Sequence, residues 1–328
     1  MRLCYMPFSH CRADEPESLL LGPIERQKSP TWRYRQGILW CLALLLLVRS
    51  GILIAEEPKR IVFIAGSPSH GPGEHEHRAG CLLLKSCLDP LPGISSVVYS
   101  NGWPEDPSSA LANAATLVIY SDGGGGHPLL RDDRLQTVGR LMKQGTGLVC
   151  LHYAVEPTKE AGEKEFFDWI GGCFEINWSV NPTWTADYQT LPNHPVTRGV
   201  HPFKIFDEWY FHMRFRDGLD GLTPILSAVP PPSTMNRPDG PHEGNAAVRA
   251  SVRLGEVQHM AWAFERPDGG RGFGFTGGHY HKNWGNDNVR KLVLNAILWT
   301  AKIEVPPDGV SSHLSPEDLK KNLDPKGK

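Results

Sequence analysis

The chain has 328 residues, with 34 Lys+Arg against 36 Asp+Glu, a formal net charge of −2 and 40% hydrophobic residues. That balance excludes a sequence-independent nucleic-acid binder, because no basic excess is available to displace counterions from phosphates. The 34 Gly and 28 Pro exceed the ordinary share but stay below that of low-complexity chains, which predicts a folded protein with long loops.

The first feature along the chain is its one long apolar run, Gly37–Val48, preceded by Arg33 and Arg35 and followed by Arg49, Ile52–Ile54 and Ala55. The run is shorter than the roughly 20 residues that span a bilayer. A basic segment, an apolar core and a small residue before Glu56 are the parts of a signal peptide cleaved after Ala55. An uncleaved anchor through residues 37–55 is the alternative, and both readings place the domain outside the cytoplasm. Without residues 1–55, Cys81, Cys87, Cys150 and Cys173 remain, with no C-x-x-C pair. They read as buried thiols, since a core of this length does not need disulfide staples.

From Arg60 onward, short apolar strands alternate with amphipathic helices, the pattern of a parallel sheet covered on both faces. The first strand is Arg60–Ala65. Gly80, Leu83, Leu84, Cys87 and Leu88 then form one helical stripe. Strands follow at Ser96–Tyr99 and Ala115–Ser121, a helix around Leu135, Val138 and Met142, and a central buried strand at Gly147–Leu151. A short helix carries Phe166, Trp169 and Ile170. The second half predicts strands at Trp184–Gln189, Lys204–His212, Thr223–Val229, Ala247–Val252, Gln258–Phe264 and Gly272–Thr276, extending the sheet and its edges. Pro230–Pro232 and Asn236–Asn245 read as loops. A closing helix, capped by Asn286 or Asp287, buries Val289, Leu292, Val293, Ala296 and Ile297. The domain is expected over residues 57–305, with 306–328 as a loose polar tail.

In open α/β sheets ligands bind beyond the carboxyl ends of the strands. The windows 66–78, 121–128, 152–156 and 278–284 lie there and hold seven of the 14 histidines: His70, His75, His77, His127, His152, His279 and His281. If the strand before Gly278 continues, His279 and His281 point to one face, as in many His-x-His metal sites. His75 and His77 sit at a helix start, about 200° apart around the axis, so at most one is expected to act. His70 is a separate candidate. Strand alternation over Asp207–His212 puts Glu208, Tyr210 and His212 on one face, a set suited to acid/base work or to a hydrogen-bonded edge. Gly123–Gly126 lacks the spacing of a phosphate loop and reads as a mobile loop for close ligand approach, with Asp122 as a sugar-hydroxyl acceptor. The central strand ends at Cys150-Leu151-His152-Tyr153. Its turn carries His152 where related enzymes carry a nucleophile, and Cys150 points into the sheet.

These pieces together resemble the ThuA-like (trehalose utilisation) family of the class I glutamine amidotransferase-like superfamily, over about Lys59 to Lys302. The resemblance rests on the loop histidines after Ile61–Ala65, Gly147–His152, Asn193–Gly199, Asp207–Tyr210, Gly270–Phe273 leading to Gly278-His279 and Trp284, and Asn295 with Trp299 in the closing helix. It implies a flavodoxin-like three-layer sandwich with a mostly parallel central sheet, and a role in carbohydrate catabolism beside oxidoreductases that make 3-keto-glycosides. The superfamily thiol has no counterpart at the elbow, which argues against glutamine hydrolysis.

The expected enzyme cleaves, eliminates or isomerises a glycoside or ketoglycoside. His152 and Glu208 form its proton-transfer pair, and His279, with His281 or His70, polarises the substrate directly or holds a divalent metal such as zinc. Asp122, Tyr153 and Tyr210 orient the sugar, and Trp284, with Trp184 and Trp209, offers a stacking face or belongs to the core. The alternative is a non-catalytic sugar-binding or scaffold protein that kept the fold. The expected partner is a small-molecule carbohydrate, with association of copies left open.

Overall fold

Lys59–Ala65 (β1) ends in five wholly buried residues, Ile61–Ala65, the mark of a strand covered on both faces. The computed structural model describes residues 57–326, so the expectations for residues 1–55 lie outside the described residues. Ile94–Tyr99 (β2) and Ala114–Tyr120 (β3) flank β1 in parallel. Gly147–Leu151 (β4) joins β3 in parallel, and Arg271–Phe275 (β11) joins β4 likewise. Gln258–Glu265 (β10) and Leu222–Ala228 (β9) complete the sheet in antiparallel pairing. The order is β2-β1-β3-β4-β11-β10-β9, a mostly parallel seven-stranded sheet whose direction of winding reverses between β1 and β3. That reversal opens a crevice at the carboxyl ends of the strands.

Strand alternation sends neighbouring residues to two separate cores. Ile61, Phe63 and Val149 pack with Leu84 and Leu88 of His77–Leu88 (α1) and with Val293 and Ile297 of Asp287–Thr300 (α6). Val62, Ile64, Leu148 and Cys150 pack with Val138 and Met142 of Arg134–Lys143 (α3) and Phe166 of Glu163–Trp169 (α4). The short Pro107–Ala110 (α2) starts at an Asp106 cap. The result is the expected three-layer α/β sandwich. Truncating a wholly buried side chain here, such as Ile297 to Ala, costs about 2–5 kcal/mol. All four cysteines of the described residues are free and buried, as expected. Asn286 supplies the α6 cap, its side chain accepting from Asn288 and Val289 N–H.

Three expectations are corrected. Residues 247–252 are not a strand but lie in Ala246–Leu254 (α5): Asn245 caps the turn by accepting from Val248 N–H, and Val248, Ser251 and Val252 make a helical stripe. Thr183–Tyr188 (β6) and Phe203–Glu208 (β7) do not extend the main sheet but pair as a separate antiparallel ribbon, and β7 stops at Glu208. A further small pair joins Gly172–Cys173 (β5) to Arg214–Phe215 (β8). The segment after 305 is not loose. Val310 is wholly buried and donates its N–H to Asn295 Oδ1 at 2.8 Å, and Arg290 Nε donates to Ser312 Oγ at 2.8 Å. Asp324 N–H reaches Glu76 Oε2 at 2.7 Å, and the buried Lys326 ammonium donates to the Glu74 carbonyl and pairs with Glu76. Its polar residues find partners in the loop ahead of α1 and on α6, so polarity here marks anchoring.

Candidate active site and metal-ligand cluster

β4 is a continuous buried run, and the chain leaves it by a sharp turn at His152, whose φ of 57° is left-handed. A non-glycine residue held there is strained, a feature that clusters at functional sites. The imidazole is wholly buried. Its Nδ1–H donates to the Thr276 carbonyl at 2.8 Å, so Nε2 is the free acceptor. Burial holds its pKa well below the usual histidine value, with His75 and His279 lowering it further.

His75 meets that free nitrogen. It lies ahead of α1, which begins only at His77, and its own φ is 44°. His75 Nδ1 stands 2.8 Å from Asp122 Oδ1, which also accepts from Ser69 Oγ at 2.9 Å. Burial raises the Asp122 carboxyl, but His75, His77 and Ser69 outweigh it and bring it down to about 2, so it is a carboxylate and His75 Nδ1 carries the proton. Burial lowers His75 itself to about 3. Its Nε2 is then a second free acceptor, 3.0 Å from His152 Nε2 and 3.0 Å from His279 Nδ1.

Two backbone links bring His279 to this point: His75 N–H donates to the His279 carbonyl, and His281 N–H to the Gly73 carbonyl. Gly278, at φ 103°, makes the turn before it, donating its N–H to Asp207 Oδ2 at 2.7 Å and accepting from the Tyr120 hydroxyl. Asp207 also receives the Glu208 N–H at 2.9 Å, which ties the end of β7 to this turn. Glu208 Oε2 thus stands 3.3 Å from His279 Nδ1 and 3.5 Å from His152 Nε2, while Oε1 accepts from Asn181 Nδ2 at 3.2 Å. Burial alone would lower His279, but Glu208, Asp207 and Glu74 raise it above the usual value. One ligand atom from each of His75, His152, Glu208 and His279 lies within 4.8 Å of the others.

Tyr210 Oη is 3.2 Å from His152 Nε2, and Tyr153 presents its ring edge-to-face to His75, Tyr210 and His242. Beyond Tyr153 lies a second acid/imidazole pair. Glu156 is 2% exposed, and His242 Nε2 stands 2.9 and 3.0 Å from its two oxygens while the ring stacks on Phe174. Burial raises Glu156 against the pull of His242, and Glu156 in turn raises His242.

The structure therefore brings together His152, Glu208, His279, Tyr153, Tyr210 and Asp122, although Asp122 spends one oxygen on His75 rather than standing free for a sugar. It corrects the rest. His281 begins a turn instead of continuing a strand, and lies buried among Glu76, Lys326 and Leu319, not beside His279. His70 is half-exposed and stacks on the outer face of His75, reaching Asp122 only at 3.9 Å. His212 breaks the alternation with φ 57° and stacks on Trp178. Trp284 and Trp209 are wholly buried, and Trp184 nearly so, as core. The Gly123 loop serves close packing of the chain: a Cβ at Gly123 would overlap the Tyr153 carbonyl. His77 does face Asp122, at 3.8 Å, because only it, and not His75, is helical. The sequence reading missed His75 as the hub and Glu156–His242 altogether. His75 was within the strand-end windows, whereas the second pair spans 86 residues and leaves no spacing signal.

The trehalose utilisation (ThuA) family profile matches residues 102–300. Among solved structures, a ThuA-like protein from Bacteroides uniformis has the same fold at a TM-score of 0.55 and 14% identity, covering 76% of this chain and 94% of that one. A ThuA-like protein from Parabacteroides merdae aligns at a TM-score of 0.48 and 14% identity over 79% and 94% of the two chains. A glutamine amidotransferase from Thermotoga maritima aligns at 0.42 and 9% over 75% and 100%. No curated protein matches this chain. The profile match spans more than half of the sequence, so the chain belongs to the ThuA (trehalose utilisation) family.

Proposed function

We propose that this protein is an exported enzyme of carbohydrate utilisation that cleaves, eliminates or isomerises a glycoside or 3-keto-glycoside. The observation that carries the reading is the convergence of three buried imidazoles and one carboxylate at the carboxyl-end side of the sheet, where His152 leaves β4. Positive charge held among those donors, at the least the proton that Glu208 favours on His279, would polarise a sugar carbonyl or hydroxyl in a site shielded from water. Family membership supports the substrate class. The strained His152 supports catalysis, since such strain is retained where the surrounding structure enforces it.

The proton-transfer role moves in this reading from His152 and Glu208, whose free atoms face each other across the cluster, to the neighbouring Glu156–His242 pair. That pair has both carboxylate oxygens on one imidazole nitrogen and a partly exposed ring, and Tyr153 packs between it and the centre. Burial raises Glu156, and Glu156 raises His242, which suits the pair to proton transfer. Tyr153 and Tyr210 would line the sugar.

Incubation of the purified protein with 3-keto-glycosides, followed by chromatography for released sugar, tests this. Product from the parent protein and none from folded His152→Ala or Glu208→Gln is expected. Bound sugar without product would favour the binding-protein reading, which the buried and inert Cys150 behind the elbow keeps in play.

A further inference from the structure

The same four donors carry a more specific inference, which rests on reading this cluster as the reacting centre. We propose that His75 Nε2, His152 Nε2, His279 Nδ1 and Glu208 Oε2 together bind one divalent transition-metal ion of the zinc class.

The tautomers come first. His152 gives its Nδ1–H to a carbonyl, which can only accept, and His75 gives its Nδ1–H to a carboxylate. Both Nε2 lone pairs therefore face inward, 3.0 Å apart, and neither can donate to the other. Two such nitrogens at that distance call for a positive centre between them. The Tyr210 hydroxyl reaches only His152 Nε2, at 3.2 Å, and leaves His75 Nε2 open.

The spacing comes second. Four ligands about 2.0–2.1 Å from a tetrahedral ion stand about 3.3–3.4 Å from one another. The separations between neighbouring donors are 3.0, 3.0, 3.3 and 3.5 Å.

The outer contacts come third. Metal-binding histidines characteristically pass their other N–H to a carboxylate or carbonyl, which fixes the ring and its tautomer. Here His75 has Asp122 and His152 has the Thr276 carbonyl, while His279 Nε2 faces Glu74 Oε1 at 3.6 Å, an ion-pair distance and not a hydrogen bond. Glu208 is steadied through Oε1 by Asn181, whose own Oδ1 accepts from Arg237. Three of the four donors, His75, His152 and Glu208, are thus held by hydrogen bonds on their outer side, and His279 is placed by the backbone bond its carbonyl accepts from His75 N–H.

Three imidazoles and one carboxylate suit Zn²⁺, Co²⁺ or Ni²⁺, whereas Mg²⁺ and Ca²⁺ favour all-oxygen sets. The neighbouring trio His70, His75 and Asp122 lies within the same span but is no second site. There His75 presents N–H instead of a lone pair, Asp122 already receives two donors, and His70 is exposed.

The test uses full-chain protein, stripped with a chelator and titrated with cobalt(II) chloride. One Co²⁺ per chain is expected, with the visible absorption of a low-symmetry site and a raised melting temperature. His75→Ala should abolish that absorption. Asp122→Asn keeps all four donors and should weaken cobalt binding about 10–100-fold, while His70→Ala should leave it unchanged. If His75→Ala does not fold, Asp122→Asn carries the test. Folded, stripped protein that takes up no cobalt, or uptake that survives both His75→Ala and Asp122→Asn, overturns the proposal. Sugar turnover by protein shown to hold no metal would reject the metal and keep the enzyme, whereas cobalt uptake with no turnover would keep the metal and reject the enzyme.

Discussion

Two histidine–carboxylate groups stand on either side of the Tyr153 ring, and they are built on opposite plans. In the four-donor centre His75, His152 and Glu208 are tied by hydrogen bonds on their outer side, and their remaining ligand atoms converge with that of His279. In the Glu156–His242 pair both carboxylate oxygens close on a single imidazole nitrogen, Nε2. The first arrangement has a deficit of positive charge that a cation fills. The second would hold one proton and transfer it in the proposed reaction. Similar residue types thus acquire different chemistry from the direction in which their hydrogen bonds are spent.

The largest effect expected is on the centre itself. His152→Ala or Glu208→Gln should lower sugar turnover by about 10²–10⁴-fold while circular dichroism keeps the native signature; unchanged rates in both would erase the distinction between the two groups. Glu156→Gln sharpens it from the other side. Turnover should fall toward the smaller end of that range, about 10²-fold, with cobalt binding intact. Because Glu156 raises His242, its loss should move the His242 titration, followed by NMR, to lower pH. A variant that loses metal instead would show the pair to be part of the centre.

Acid stability gives a smaller and more diffuse effect. Burial lowers His77 and His127 to about 4, so between about pH 6.5 and 4 the unfolded chain binds protons that the folded one does not. Stability should therefore decline as pH falls through that window, by about 1.4 kcal/mol per pH unit for each such proton. His127 belongs to neither group: its Nδ1 accepts from Leu129 N–H and its Nε2–H donates to the Ala154 carbonyl. His127→Asn should flatten the slope by about one proton in melts across pH, and an unaltered slope would assign acid lability to the centre alone. The smallest effect is expected at Cys150. Burial pushes its thiol far above the usual range, so iodoacetamide applied to native protein should leave turnover intact.

Much of this was legible in the sequence, and the failures are instructive. Apolar runs such as Ile61–Ala65 and Gly147–Leu151 specify buried parallel strands, and the rule of strand carboxyl ends led directly to His152, His279 and Asp122. Glu208 and Tyr210 were matched by alternation although β7 stops at Glu208; the Asp207 contacts place Glu208, and Thr276 Oγ1 donating to the Tyr210 carbonyl places Tyr210. His281 failed for the same cause, because a glycine turn and not a strand precedes it. His75 was obscured by placing the helix start two residues early. In Ala246–Leu254 the stripe and the Asn245 cap were both present in the sequence, but the β-branched residues Val248 and Val252 suggested a strand. No local pattern could pair Glu156 with His242 or bring Asn181 behind Glu208, because those contacts exist only once the ribbon and the loops have docked.

The late contacts to Glu74 and Glu76 have a consequence for biogenesis. The loop that carries His75 receives its clamps from Asp324 and Lys326, about 250 residues further along the polypeptide. A nascent chain still short of that segment would already have its sheet but lack the brace on its ligand loop, so the centre should mature only after translation has passed that point.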